Sequence, residues 1–277
     1  MFLYHSLTSL RLQSLAKGVK PGLNRNDVYA IKHPFPPLSE QKRIVTILDK
    51  AFVGISQAVS NAEKILSNAR ELFESYLNSV FTQKGEGWVE KRLINICENL
   101  DSKRIPITKA KRTSGKIPYY GASGIVDHVA DYIFDEDLLL VSEDGSNLLA
   151  RTYPTAFSIS GKTWVNNHAH VLRFTEKHSQ KFIEYYLNSI SLEPYVSGMA
   201  QPKINQKSLN NIQVPFPPMS EQGRIVDSLY VLNKETQHLE TIYQQKLASL
   251  AELKQSILQK AFTGELTADS VQQQVSA

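Results

Sequence analysis

Two copies of one long segment flank a single unique stretch, and this arrangement limits the folds open to the chain. Residues 34–41 read Pro-Phe-Pro-Pro-Leu-Ser-Glu-Gln and residues 215–222 read Pro-Phe-Pro-Pro-Met-Ser-Glu-Gln, a shift of 181 residues from Pro34 to Pro215. Carried forward without a gap, the shift sets Arg43-Ile44-Val45 on Arg224-Ile225-Val226, Leu48 on Leu229 and Phe81-Thr82 on Phe262-Thr263. Carried backward, it sets Asn24 on Asn205 and Ile31 on Ile212. Residues 1–82 therefore repeat 182–263, while about 83–181 has no counterpart. Many short repeats would mark a solenoid; two long copies around one insert do not.

Each copy carries a Pro-Phe-Pro-Pro run that cannot be helical, because proline fixes φ and disfavours the α region in the residue before it. Ser39 and Ser220 then stand where an N-cap is wanted, with Glu and Gln behind them, although the spacing is not that of a strict capping box. A heptad seam follows. In the first copy it runs Ile44, Leu48, Ala51, Ile55, Ala58, Ala62, Ile65, Ala69, Leu72, Tyr76. In the second it runs Ile225, Leu229, Leu232, Thr236, Leu239, Tyr243, Lys246, Leu250, Leu253, Ile257. Alternating steps of four and three predict two coiled-coil helices, each on the order of 60 Å long. The first seam is rich in Ala and the second in Leu, so small residues face large ones if the helices pack antiparallel.

Residues 88–215 change character. The stretches 117–129, 130–147, 156–174 and 203–216 read as strands broken by Gly, Asp and Asn turns. Residues 181–190 read as a helix, with Phe182, Tyr185, Tyr186 and Ile190 at helical spacing. The expected fold class is α+β: one mixed α/β globular domain flanked by two long antiparallel coiled-coil helices.

The net charge of +4 leans mildly toward a polyanionic partner. Cys97 is the single cysteine, which rules out a disulfide or a cysteine-built metal site within one chain and fits a reducing, cytoplasmic setting. In the run Leu-Ile-Asn-Ile-Cys it is expected to be a small buried apolar residue. No apolar run approaches the roughly 18 residues a membrane span requires, and residues 1–18 lack the basic start of a signal peptide. No membrane role is expected.

The chain has no P-loop, no GxSxG elbow, no HExxH and no Asn-Pro-Pro-Tyr motif, so no catalytic residue, cofactor or metal is assigned. His168 and His170 form an HxH pair without a recognisable third ligand and read as two faces of a strand, one buried and one exposed. Asp135, Glu136 and Asp137 read as an acidic turn before an apolar strand. A metal-dependent nuclease built from these five residues remains an alternative. The candidate DNA contacts are Lys103, Arg104, Lys111, Arg112, Tyr119 and Tyr120, basic residues interleaved with aromatics that suit phosphate anchoring. With them stand Ser123, Ser146, Asn147, Lys162, Thr163, Asn166, Asn167, Gln201 and Lys203, loop amides, hydroxyls and cations of the types that read base edges.

The doubled Pro-Phe-Pro-Pro-[Leu/Met]-Ser-Glu-Gln-x-Arg-Ile-Val, the closing Lys260–Leu266 (Lys-Ala-Phe-Thr-Gly-Glu-Leu) and the domain opening Trp88–Leu93 (Trp-Val-Glu-Lys-Arg-Leu) carry a resemblance. The chain resembles the specificity (S) subunit of type I restriction–modification systems. The resemblance implies a remnant of a first target-recognition domain at 1–33, keeping its final turn and strand. It implies a first spacer helix at 34–84, a complete recognition domain at 85–214, a second spacer at 215–266 and a disordered tail at 267–277. It further implies double-stranded DNA as a partner, methyltransferase subunits docked on the helices and a restriction subunit joined through the complex. With one complete recognition domain, a homodimer reading a symmetric interrupted site is expected; an inert truncated subunit and a coiled-coil interaction scaffold stay open.

Overall fold

The computed structural model describes residues 1–10, 12, 16, 22–32, 35–198 and 200–267. The chain opens with α1 (Phe2–Ser9) and α2 (Arg25–Tyr29), followed by the long α3 (Leu38–Thr82). Next come β1 (Val89–Arg92), β2 (Glu98–Asn99), β3 (Ser114–Gly121), β4 (Gly124–Val129), β5 (Phe134–Asp135) and β6 (Leu138–Ser142). After α4 (Asn147–Ala150) run β7 (Ala156–Ile159), β8 (Lys162–Val165), β9 (Ala169–Arg173), α5 (Lys177–Ser189), α6 (Gln206–Asn210), β10 (Gln213–Phe216) and the long α7 (Met219–Thr263). The α+β reading holds. No helix among the described residues is long and apolar enough to cross a membrane.

The repeat is legible in the coordinates. α3 and α7 each have 45 residues, and both their ends differ by the same 181-residue shift that aligns the sequences. The shift also sets α2 on α6, where the side chains of Asn24 and Asn205 cap their helices by accepting from Asn26 N and Ser208 N. It sets α1 on the last turns of α5. The expected strand at the end of 1–33 is not found at Lys32 or Phe35, the counterparts of the ends of β10; His33 and Pro34 lie outside the described residues. β10 forms because β1 pairs with it antiparallel, Val89 opposite Phe216, and a strand without a partner has nowhere to place its backbone hydrogen bonds. Of the expected disordered tail at 267–277, Thr267 is instead helical and buried, and 268–277 lie outside the described residues.

The caps differ from expectation. Both helices start two residues early, so Ser39 and Ser220 sit in the first turn, and the preceding prolines take the cap position. Gln41 N and Gln222 N donate to the carbonyls of Pro37 and Pro218, and the Gln41 and Gln222 side chains donate to those of Pro36 and Pro217, both at 2.8 Å. The glutamine thus fastens the helix start to the rigid proline run.

Two compact units divide the chain, one of residues 1–70 with 236–277 and one of 71–235. In the first, the start of α3 packs on the end of α7: Ile44, Leu48, Leu258 and Ala261 are buried with Phe2 of α1. In the second, the end of α3 (Leu77, Phe81) packs on the start of α7 (Val226, Leu229). Each pairing is antiparallel, as expected.

Three positions of the first heptad seam, Ile65, Leu72 and Tyr76, shift by one residue, while Ala62 and Ala69 stay buried in it. Ile44, Leu48 and Ile55 are buried, and Leu229 is fully so, but Ile65 and Leu72 are 37% and 61% exposed. Leu66 and Phe73 turn inward in their place. The sequence offers both choices, because Ile65-Leu66 and Leu72-Phe73 are adjacent apolar pairs, and a three–four alternation fits either member. On α7, Leu239 and Leu253 likewise lie 37% and 47% exposed, while Ile225, Leu232, Leu250 and Ile257 are half-buried.

The second unit has three layers: helices, the sheet β2-β9-β6-β7, and the sheet β4-β3-β8-β5. β6, Leu-Leu-Leu-Val-Ser, is buried along its whole length. Strand alternation sends Leu138 and Leu140 between the sheets, against Phe134, Val165 and Val171, and Leu139 and Val141 toward Phe182, Ile183 and Leu187 of α5. The helix expected from 181 begins four residues earlier, at Lys177. Residues 206–210, expected in a strand, form α6, because the Asn205 cap satisfies its first amides and Leu209 buries completely.

Cys97 packs half-buried against the α5 core and donates its S–H to Leu93 O. Burial pushes its thiol up to about 12, so the reactive thiolate is scarce near neutral pH. Iodoacetamide at pH 8 is expected to alkylate the native chain far more slowly than the urea-unfolded chain, as followed by mass spectrometry. Equal rates would contradict this packing.

Candidate nucleic-acid interface

Strand direction gathers four loops at one end of the second unit. β3 and β8 are parallel neighbours, with Tyr119 beside Trp164, so their carboxyl ends coincide. β6 runs antiparallel to β9, so its end meets the start of β9, Ser142 opposite Ala169. The loops at 121–124, 143–146, 166–168 and 200–205 are then stitched together. Ser142 Oγ donates to Ala122 O, Asn166 N to Tyr120 O, Glu143 N to His168 O, Gly145 N to Pro202 O and Ile204 N to Glu143 O.

Under these loops lies a buried polar cluster. His170 Nδ1 meets Asp101 Oδ2 at 2.6 Å and its Nε2 meets Ile204 O at 2.9 Å, so both ring nitrogens face acceptors. Asp101 Oδ1 accepts from Val171 N at 2.9 Å. Arg104 donates to Glu143 Oε2 at 2.6 Å and to Ala169 O at 2.7 Å, and Lys203 Nζ lies 2.9 Å from Glu143 Oε1. Burial, the largest single influence, pushes the Asp101 carboxyl up, but the hydrogen bond and charge of His170, the Val171 amide and the Arg104 charge together hold it below its ordinary value. Glu143 behaves alike: burial raises it, and Arg104 and Lys203 more than offset the rise.

Asp101, Glu143 and His170 place three ligand atoms within 4.8 Å of one another, a spacing a metal ion could use. Here Arg104 and Lys203 balance the two carboxylates, and His170 Nε2 is committed to a carbonyl. The alternative nuclease set does not assemble. Glu136 pairs with Arg173 and Asp137 with Lys177 before the start of β6, whereas His170 lies opposite Val141 near its end, about 13 Å along a strand.

The structure divides the fifteen candidate contacts. Ser123, Ser146, Asn167, Gln201 and Lys203 are exposed on the converging loops. Lys103 and Lys111 are exposed on short 3-10 turns, and Lys162 opens β8, at the end away from Asn166. Seven candidates are corrected to internal roles. Arg104 belongs to the buried cluster. Arg112 pairs with Asp127 at 2.9 Å over the ring of Tyr119, which is itself 1% exposed. Asn147 accepts from Thr152 N and Tyr153 N, Asn166 Oδ1 accepts from His168 N, and Thr163 is fully buried. Tyr120 is half-buried beside Phe157. Residue type marked these groups as polar, but only the long-range pairing decides which are spent inside.

One pair at the loop end was not among the candidates: His168, half-exposed, with its ring against Asp144. The HxH motif singled it out, but as a strand residue. His168 precedes β9, so it is exposed because it belongs to the turn, while His170 is buried within the strand.

A family model described as the type I restriction modification DNA specificity domain matches residues 85–248. The chain is 36% identical over 148 residues to a type I restriction enzyme specificity subunit of Haemophilus influenzae, a match covering 52% of this chain and 38% of that protein. It is 27% identical over 214 residues to a type I specificity subunit of Mycoplasma pneumoniae, covering 74% of this chain and 82% of the relative. Among solved structures, a component of a type I R-M system superposes with a TM-score of 0.77 at 23% identity, covering 96% of this chain and 71% of that one. The HsdS subunit of Thermoanaerobacter tengcongensis superposes with a TM-score of 0.61 at 24% identity, covering 96% and 70%. These two show a shared fold.

Proposed function

The chain belongs to the type I restriction modification DNA specificity family, and from that premise we propose that its second unit reads one half of a bipartite DNA site. Specificity subunits are not themselves catalytic, so the chemistry falls to their partners. The observation that carries the reading is the convergence of four polar loops at one end of the sheets, set on a rigid buried floor. A packed scaffold presenting loops is the arrangement that recognition uses. The long helices dock methyltransferase subunits, the restriction subunit joins through that complex, and a second copy supplies the other half-site. The exposed Ile65, Leu239, Ile242 and Leu253 of the first unit support this docking role, because apolar groups left in water favour a partner.

The test compares the two ends of β8. Ser146→Glu places a carboxylate on the loop end and is expected to weaken binding of the full chain to its cognate duplex roughly tenfold, equivalent to about 1.4 kcal/mol. Lys162→Ala, at the other end, is expected to leave affinity within about twofold, since it removes no contact at the loop end. Wild-type affinity should also fall linearly with the logarithm of salt, as counterions are released from phosphate. Salt-independent binding, or a larger loss from Lys162→Ala, would overturn the reading.

A further inference from the structure

The Asp144–His168 pair has a geometry that loop fastening does not require. His168 Nδ1 lies 2.8 and 3.0 Å from the two Asp144 carboxylate oxygens. A carboxylate can only accept, so Nδ1 carries the hydrogen and the ring orientation is set. Nε2, on the opposite edge of a ring whose side chain is 51% exposed, is then turned to whatever approaches.

The loops are already joined without this pair. Glu143 N donates to His168 O at 2.9 Å, and His168 N donates to Asn166 Oδ1 at 2.8 Å. Asp144 is fixed from the other side by its antiparallel bridge to Lys203, and Gly145 N donates to Pro202 O at 3.0 Å. Glu143, next in sequence, is anchored by Arg104 and Lys203. The carboxylate therefore serves to hold an imidazole at one angle above a floor that these bonds tie together.

We propose that His168, oriented by Asp144, is a sequence-determining contact whose Nε2 hydrogen-bonds a base edge in the major groove. The proposal rests on the loop end being the DNA interface. Asp144 is the positioning residue, and the ligand is the edge of a single base pair. Histidine at such a place reads a base by one hydrogen bond whose angle matters, which explains the two-oxygen grip on Nδ1.

The experiment is selection of duplexes from a random-sequence pool by the full chain, followed by binding at several salt concentrations. Wild type should enrich a defined motif. His168→Ala should enrich the same motif with one position in each half-site degenerate, bind the parent site roughly tenfold more weakly, and keep the same salt slope. Asp144→Asn should lose preference at that same position only, to a smaller degree. An unchanged motif for His168→Ala overturns the proposal. Uniform weakening with a salt slope smaller by about one overturns it in favour of a phosphate contact. If wild type enriches nothing, the reading of the loop end fails, a result separable from either of these. Should His168→Ala melt below wild type, His168→Gln, which keeps a polar planar side chain in the half-exposed site, decides by the same readout.

Discussion

Asp101→Ala is expected to destabilise the second unit by about 3–5 kcal/mol, the usual cost of removing one partner from a buried ion pair. The substitution strips His170 Nδ1 of its 2.6 Å acceptor and Val171 N of its 2.9 Å acceptor, both inside the protein. It also leaves Arg104 facing Glu143 without its second carboxylate at 3.6 Å. Chemical denaturation followed by circular dichroism measures the loss, and a change below about 1 kcal/mol would show that the cluster carries little of the stability. Lys203→Ala should cost much less, because the Lys203 side chain is 49% exposed and water can replace it.

The same cluster sets a pH dependence whose sign follows from linkage. Asp101 and Glu143 both sit below their ordinary values in the folded chain. A carboxyl depressed on folding adds stability that is fully present above its unfolded pKa and is lost as pH falls through the folded one. Wild-type stability should therefore decline on acidification below the ordinary carboxylate range of about 4, and Asp101→Ala should show a shallower decline. An equal or steeper decline in the variant would assign the acid sensitivity to other groups.

Leu48→Ala and Leu229→Ala are each expected to cost about 2–5 kcal/mol, because each deletes a fully buried side chain from a packed helical contact. Leu48 lies among Ile44, Leu258 and Ala261, and Leu229 among Leu77, Phe81 and Val226. The two positions are repeats of each other, so similar losses are expected in the two units. Leu72→Ala provides the contrast. That leucine belongs to the heptad written in the sequence, yet it is 61% exposed, and its loss should stay within about 0.5 kcal/mol. A loss at Leu72 equal to that at Leu48 would restore the original seam.

The sequence alone determined the repeat and its consequences. Identical local chemistry 181 residues apart, a proline run followed by Ser-Glu-Gln and an apolar stripe, yielded two helices of identical length and two asparagine caps at the same shift. The repeat and the extent of the two long helices depend on neighbours within a few residues, and a linear reading reaches them, although it set the starts of α3, α7 and α5 two to four residues late. Tertiary structure decided which apolar neighbour enters the seam, since Leu66 and Ile65 fit the same period and only the partner helix chooses between them. It also decided which polar residues face outward. Arg104, Lys103 and Lys203 are equally basic on paper, but Arg104 is spent on Glu143, 39 residues away in the chain, and Lys103 is not. Such partners are brought together by strand pairing between distant segments, and burial of charge is settled only when those segments meet.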